Sequence, residues 1–366
     1  MRALFVGGNC KAMSKPYVSV LIDTYNHEQF IAQAITSVLE QDMSMADVEI
    51  IVVDDGSTDR TPEIVRGFEP RVRVLRKSNG GQASAFNAGI SECHGEIIAF
   101  LDGDDWWEKD KLRSVLQEFE ANPEIGAVGN GLFEVDAQGK KLFVNTPDRA
   151  YRCFFRTVEE GIWFGELMSY MGTSRLAIRK SVLDKILPVP EGIVIEADEY
   201  LATLAVAISG ALVIDQPLTN YRFHHGNLYQ YGTYNLKKAR RKSDALGCLI
   251  RDLPDRLESF GISPQIIDAL LENRRIEAER MRLSVYGGNP WQTFRVERKA
   301  WRLRFDRCSF GYRIFQAMVL GIALIMPPQI YYRIRASYAD SGLARIRSLV
   351  ARGVPAKSLV ARKAAG

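Results

Sequence analysis

Two short apolar runs, each followed directly by a cluster of aspartates, constrain this chain more than any other feature. The runs cover residues 49–53 and 97–101, and the acidic residues after them are Asp54, Asp55, Asp59, Asp102, Asp104 and Asp105. A continuous apolar run of this length is typical of a strand buried on both faces, as in a parallel sheet covered by helices. Ligands of such sheets bind beyond the carboxyl ends of the strands, so we expect both acidic clusters to face one crevice.

Further strands and helices alternate around these two runs. Residues 18–22 form another β-branched run, and residues 28–40 place apolar side chains at helical spacing. We expect Ser57 and Thr58 to open a helix and residues 173–178 to form a strand. The alternation predicts an α/β fold, a doubly wound mixed sheet of Rossmann-like type, over residues 17–230.

Charge divides the chain of 366 residues into an acidic front and a basic back. Residues 1–236 carry 22 Lys and Arg against 33 Asp and Glu, a balance of −11; residues 237–366 carry 26 against 11, a balance of +15, and together these give the net +4. We therefore expect residues 231–366 to form a helical, basic C-terminal region. Such a region is attracted to an anionic membrane surface or a phosphorylated carrier.

The cysteines and two segments of the chain indicate where in the cell the protein is expected. The five cysteines are scattered without metal-ligand or redox spacing, which favours the reduced cytoplasm. Residues 1–16 are predicted to be a disordered leader. Residues 314–326 are apolar but shorter than the roughly 20 residues that cross a bilayer, and arginines follow them. We expect this run to lie at the inner face of the cell membrane or to pack in a core.

Several motifs in a fixed order resemble those of the family 2 glycosyltransferases, an inverting group with the GT-A fold. The resemblance covers about residues 17–228, and its motifs are residues 18–22 with Tyr25 and Asn26, residues 53–59, residues 79–81 with residues 87–89, residues 100–105, an acidic pair near Asp198, and Tyr221, Arg222 and His224. The chain is thereby expected to be a hexosyltransferase-like enzyme of cell-surface polysaccharide synthesis. A single Asp-x-Asp occurs by chance, whereas the ordered set is specific.

The resemblance implies a nucleoside-diphosphate sugar as donor, UDP-linked by preference, and Mn²⁺ or Mg²⁺ as cofactor. Hard cations of this kind take oxygen ligands from carboxylates and phosphates. The implied metal ligands are Asp104, Asp102 and His224. Capping of the next helix would need only one carboxylate, so it does not account for the whole cluster.

The resemblance also implies residues that bind the substrates. They are Asp23, Tyr25, Asn26, Asp55, Gly80, Gly81, Asn87, Asp102, Trp106, Thr173 and Arg222. Asp55 would accept a hydrogen bond from the uracil imide, and Tyr25 would stack on the base. An ordinary strand-to-helix turn also explains residues 54–56, and helix-start chemistry also explains Gly80 and Gly81.

Inverting transfer needs a base that takes the proton of the acceptor hydroxyl. By the resemblance Asp198 is the catalytic base, although Glu196 and Glu199 lie close enough to leave the assignment open. The acceptor would be a saccharide or a polyprenyl-linked sugar.

Two alternative functions remain open: a sugar-1-phosphate nucleotidyltransferase, and a non-catalytic protein that binds nucleotide sugars at a membrane. Nucleic acid is not expected as a partner, because aromatic residues rarely interleave with the basic ones.

Overall fold

The computed structural model describes residues 17–224, 236–303 and 310–340. The predicted leader at residues 1–16 lies outside the described residues. Within the described chain there are two compact units. The first contains the residues up to Phe223 together with Cys248–Leu271, and the second contains the rest. The domain boundary expected at residue 230 stays a prediction.

One mixed sheet organises the first unit. Its strands are β1 (Val18–Thr24), β2 (Val48–Asp54), β3 (Arg73–Arg76), β4 (Ile97–Asp102), β5 (Trp106–Trp107), β6 (Ala127–Val135), β7 (Lys141–Asn145), β8 (Tyr151–Cys153), β9 (Ala177–Arg179) and β10 (Ala211–Arg222). The main path runs β3-β2-β1-β4-β9-β6-β10-β5, with β7 beside β6 and β8 beside β10. The α/β class and the mixed sheet predicted from the sequence are confirmed.

The two apolar runs occupy β2 and β4, and β1 lies between them in parallel register. Alternate side chains enter two separate cores, so that Leu21 and Phe100 lie on one face and Ile22 and Leu101 on the other. Burial on both faces explains why these strands read as continuous apolar runs rather than as alternating patterns.

Helices cover both faces of the sheet in the first unit. They are α1 (Ile31–Leu39), α2 (Thr61–Arg66), α3 (Gln82–Glu92), α4 (Lys111–Ala121), α5 (Val158–Leu167), α6 (Lys180–Ile186) and α7 (Ala197–Ser209). Those that follow are α8 (Leu236–Ser259), α9 (Pro264–Tyr286), α10 (Pro290–Arg302), α11 (Phe310–Ala323) and α12 (Pro328–Asp340). The helical C-terminal region is thus confirmed for the described residues. None of their helices combines the length and apolarity needed to cross a membrane.

Two local expectations were wrong. Ser57 and Thr58 do not open α2, because their backbone N–H groups donate to the side chains of Asp54 and Asn26 and so form a turn. The strand expected at residues 173–178 begins only at Ala177, after a 3₁₀ turn at Thr173–Arg175. In both places side chains at the edge of the sheet bind the backbone and override its local preference.

Helix α3 packs closely against the sheet at Gly89. A Cβ at this position would lie 2.3 Å from a methyl of Leu21 and 2.9 Å from a methyl of Val53. We predict that Gly89→Ala lowers the free energy of unfolding by about 1–3 kcal/mol, because overpacking outweighs the higher helix propensity of alanine. The midpoint of urea unfolding measures this change.

Gly247 is the matched control, because it also lies within a helix, α8, but a Cβ there meets nothing within 4 Å. Gly247→Ala is expected to raise stability by up to about 1 kcal/mol. Equal gains from both substitutions would show that the contact between α3 and the sheet is not tight.

Candidate functional site

Parallel strands bring the first acidic residues together at one edge of the sheet. The register pairs Asp23 of β1 with Asp102 of β4, and Thr24 of β1 with Asp54 of β2. The backbone N–H of Asp55 then donates to the carbonyl of Thr24 at 2.9 Å. The carboxyl ends of the three strands therefore carry the predicted residues into one site.

Three carboxylates form a cluster of the kind that holds a divalent cation. Ligand atoms of Asp102, Asp104 and Asp105 all lie within 4.8 Å of one another. Burial, followed by the charges of Asp23 and Asp104, raises the pKa of Asp102 well above its usual range. The oxygen-only donor set and this mutual repulsion suit a hard cation such as Mg²⁺ or Mn²⁺.

The same repulsion reaches two further carboxyl groups. Burial and the neighbouring charge of Asp104 raise the pKa of Asp23 to about 8. Burial and Asp104 also raise the pKa of Asp105 to about 7. One oxygen of Asp23 and one of Asp105 are buried without a hydrogen bond among the described residues. Buried carboxylate oxygens normally have a donor or a cation as a partner, so these two oxygens fit a position beside a bound cation.

Arg222, which was predicted to bind substrate, holds the acidic loop in place. Its backbone N–H donates to Asp105 Oδ1 at 2.9 Å, and its Nε donates to the carbonyl of Asp104 at 2.9 Å. Its guanidinium carbon lies 4.4 Å from the centre of the Trp106 ring. The side chain is buried, and its other nitrogens donate to Ala137 and Gln33. Arg222, which packs on Trp106, therefore positions the acidic loop rather than extending freely towards a ligand.

Asp198 lies at the start of α7, and Thr173 fixes the direction of its carboxylate. Asp198 Oδ2 accepts the backbone N–H of Thr173 at 2.8 Å and its hydroxyl at 3.1 Å, and Oδ1 accepts the N–H of Glu199. Gln82 in turn donates to the Thr173 hydroxyl and accepts from the N–H of Ala197. The negative charge of Asp198 contributes to the raised pKa values of Asp23 and Asp102. Asp198 therefore shares the site with the acidic cluster.

Ser174 connects the next residue of this turn to Asp102. Its hydroxyl accepts the N–H of Asp102 at 3.1 Å and contacts Asp102 Oδ2 at 3.3 Å. Its carbonyl accepts three donors, which are Trp107 Nε1, Lys111 Nζ and the Thr219 hydroxyl. Burial lowers the pKa of Lys111 well below its usual range. A buried polar cluster thus fixes the turn at Thr173–Arg175 on its core side. On its other side, Thr173 contacts Asp198 and Ser174 contacts Asp102.

Asp55 directly follows the carboxyl end of β2, and three donors hold its carboxylate. Its carboxylate accepts Lys77 Nζ at 2.8 Å, the N–H of Gly80 at 3.0 Å and the N–H of Gly81 at 2.7 Å. Gly81 has φ +84°, and a Cβ there would meet Val194 at 2.8 Å. The two glycines therefore let the backbone approach Asp55 closely. This contact explains their presence more specifically than the requirements of the N-terminus of α3 do.

The other predicted residues are placed as follows. Asn26 adopts a φ of 57°, and its side chain accepts the N–H of Thr58, which joins the loop after β1 to that after β2. Tyr25 is 42% exposed in the same loop. The side chain of Asn87 is engaged with both backbone polar groups of Val189, at 2.8 and 2.9 Å. His224 is half-buried, two residues after the end of β10.

Sequence reasoning missed four residues that the structure places around these carboxylates. His27 Nε2 lies 3.8 Å from Asp104 Oδ2, and Lys77, Gln82 and Lys111 make the contacts given above. Gln82 directly follows the glycine pair, which was a usable signal. Nothing local in the sequence distinguishes Lys111 from an ordinary exposed lysine of a helix.

Comparison with known proteins places this architecture. The model for glycosyl transferase family 2 matches residues 19–187. An uncharacterized glycosyltransferase of Nostoc is 31% identical over 242 residues, which cover 62% of this chain and 71% of the relative. The chondroitin synthase of Pasteurella multocida is 40% identical over 116 residues, but these cover 31% of this chain and only 12% of that protein.

A solved structure shows the same fold. It is a fragment of TarS from S. aureus in complex with UDP-GlcNAc, with a TM-score of 0.50 and 19% identity, over 77% of this chain and 87% of that one. The fold is that of a GT-A transferase, and this chain belongs to glycosyltransferase family 2. The chain is thus a glycosyltransferase, which the sequence predicted over the nucleotidyltransferase and the non-catalytic binding protein.

The Thr173 hydroxyl provides a test of how Asp198 is positioned. We predict that Thr173→Val lowers kcat about tenfold, because one hydrogen bond to Asp198 is lost while the backbone N–H still donates. The KM for the donor should change less than twofold. Steady-state kinetics of sugar transfer separate the two constants.

Thr36→Val on α1 is the matched control, because it makes the same change on a helix that covers the sheet. It should leave kcat unchanged. A Thr173→Val enzyme with full kcat would show that the hydroxyl does not help to orient Asp198.

Proposed function

We propose that this chain transfers a sugar, with inversion, from a UDP-linked donor to a hydroxyl of a saccharide or a polyprenyl-linked acceptor. The observation that carries the proposal is the meeting of two kinds of carboxylate at one edge of the sheet. One kind is the cluster of Asp102, Asp104 and Asp105, and the other is Asp198, which is held separately by Thr173.

Asp104 and Asp102 are the proposed metal ligands. When bound, Mn²⁺ or Mg²⁺ would neutralise the charge that grows on the departing diphosphate. The fit rests on the repulsion inside the cluster and on the buried oxygen of Asp105 that has no hydrogen bond among the described residues. Arg222 and Ser174 would hold the acidic loop in the geometry that the donor requires.

Asp55 and Tyr25 are proposed to bind the base of the donor. Lys77 and the two glycine N–H groups fix the Asp55 carboxylate, so an incoming imide N–H would find its acceptor already oriented. The exposed ring of Tyr25 supplies a face for stacking, and Asn26 holds its loop against the turn after β2. Asp23 lies between these groups and the metal ligands, in register with Asp102, where a ribose would lie.

Asp198 is the proposed general base. Its carboxylate would take the proton from the acceptor hydroxyl while that oxygen attacks the anomeric carbon from the face opposite the diphosphate. The bond from the anomeric carbon to the diphosphate oxygen breaks, and the diphosphate leaves with its electron pair. Donors on both oxygens orient the Asp198 carboxylate, and an oriented base loses less entropy in the transition state.

The acceptor side of the proposal rests on the relatives. A named relative is a chondroitin synthase, so a growing polysaccharide or its lipid-linked precursor is the proposed acceptor class. We also propose that transfer takes place at the inner face of the cell membrane, because residues 237–366 carry a balance of +15.

Replacing Asp198 tests the proposed base. Asp198→Asn is expected to lower kcat by about 10²–10⁴, because the amide cannot accept the proton. Binding of UDP with Mn²⁺, measured by calorimetry, should stay within a few-fold of the wild type. NMR of the product should show an anomeric configuration opposite to that of the donor.

Two further variants complete this test. Asp104→Asn should abolish Mn²⁺-dependent UDP binding, and Asp215→Asn, at an exposed position on β10, should change nothing. Full activity of Asp198→Asn, or retention of the donor's anomeric configuration, would contradict the proposed mechanism.

A further inference from the structure

The helix pair α11 and α12 carries an apolar surface that faces solvent. On α11, Met318 is 59% exposed, Ile322 43% and Ile325, just beyond its last turn, 80%. These positions are four and three residues apart, which places them along one side. Ile330 and Ile334 are exposed on α12 at a spacing of four. Each of the two consecutive helices thus has a line of large exposed apolar side chains, and such lines mark an interaction site more often than scattered side chains do.

The opposite side of the same pair makes the contacts within its unit. Ala323, Tyr331 and Tyr332 pack with Leu283 of α9 in a small core. Glu297 of α10 is buried and accepts hydrogen bonds from Arg280, Tyr332 and Arg335. The inner side therefore fixes how the pair is oriented, and the exposed isoleucines are not required for this core.

Charge distinguishes among possible occupants of this surface. The described residues 310–340 contain three arginines, Arg313, Arg333 and Arg335, and one acidic residue, Asp340. Arg333 is exposed on α12, next to Ile334. A second copy of the same surface would bring like charges together, whereas an anionic bilayer offers acyl chains to the isoleucines and phosphates to the arginines.

We infer that the exposed side of α11 and α12, defined by Met318, Ile322, Ile325, Ile330 and Ile334, docks on an anionic phospholipid surface. The apolar side chains enter the boundary between headgroups and acyl chains, and the exposed Arg333 contacts the phosphates. This inference rests on the proposed location at the inner membrane face. It assigns the membrane contact to one surface of the protein, and vesicle binding tests it without a measurement of activity.

The test uses the full chain and vesicles of two compositions. The wild-type protein should co-sediment with vesicles of equal parts phosphatidylglycerol and phosphatidylcholine, and far less with phosphatidylcholine alone. The double variant Ile322→Ser with Ile325→Ser should bind the anionic vesicles at least about tenfold more weakly, because two apolar side chains no longer enter the bilayer. High salt should weaken the wild-type interaction, because ions screen the arginines.

Two control variants distinguish docking through this surface from non-specific hydrophobic adsorption and from misfolding. Phe143→Ser with Val144→Ser removes two equally exposed apolar side chains from β7 of the first unit, and it should bind the vesicles as the wild type does. Ile322→Leu with Ile325→Leu should also bind fully. If the serine pair unfolds by circular dichroism, the single variant Ile325→Ser at the most exposed position decides the question.

The inference is overturned if the folded serine variant binds anionic vesicles like the wild type, or if the wild type binds neither composition. It is equally overturned if sedimentation velocity shows a wild-type dimer that the serine variant cannot form, because a second copy then covers the surface. Transfer to a soluble saccharide acceptor should be unchanged in the serine variant. Vesicle binding without any transferase activity would refute the proposed function and leave the docking surface standing.

Discussion

Repulsion among carboxylates at one edge of a buried sheet is the constraint on which the rest of this structure depends. Three parallel strands with largely apolar, buried centres end together, and each has an aspartate as its last or next-to-last residue. Water cannot reach all of these groups, so the pKa values of Asp23, Asp102 and Asp105 are raised. A cation that joined the cluster would relieve this repulsion, which is the physical basis for the proposed binding of a metal–diphosphate complex.

The surrounding residues hold the acidic side chains in place despite that repulsion. Arg222 binds the backbone of the acidic loop, and Lys77 with two glycine N–H groups binds Asp55. Thr173 and Ser174 are adjacent in sequence, yet one contacts Asp198 and the other contacts Asp102. A single rigid turn thus couples the proposed base to the proposed metal ligand. The buried Lys111 donates to the Ser174 carbonyl and thereby fixes this turn to the core.

The sequence predicted the fold because the strands that matter are buried on both faces and read as unbroken apolar runs. It also predicted the acidic cluster, because parallel strands leave their carboxyl ends at a common edge. It did not predict the turn at Thr173, because that backbone is shaped by Asp198, which is 25 residues further along the chain. Nor did it predict that Arg222 is engaged with backbone groups, since its partners lie in segments distant in sequence.

The buried Lys111 could not have been recognised from its neighbours either, because the three acceptors around its amine come from three separate elements. Residues that bind the substrate directly tend to follow strand ends and can be read from the order of motifs. Residues that orient them are chosen by tertiary contacts. This difference explains why the acidic residues were found and their supports were not.

Electron paramagnetic resonance of Mn²⁺ titrated into the protein, with and without saturating UDP, tests the central claim most directly. Free aqueous Mn²⁺ gives a strong signal that is lost on binding. The account predicts one tightly bound Mn²⁺ per chain when UDP is present and much weaker binding without it. An Mn²⁺ signal that UDP does not alter, together with UDP binding that needs no divalent ion, would contradict the account.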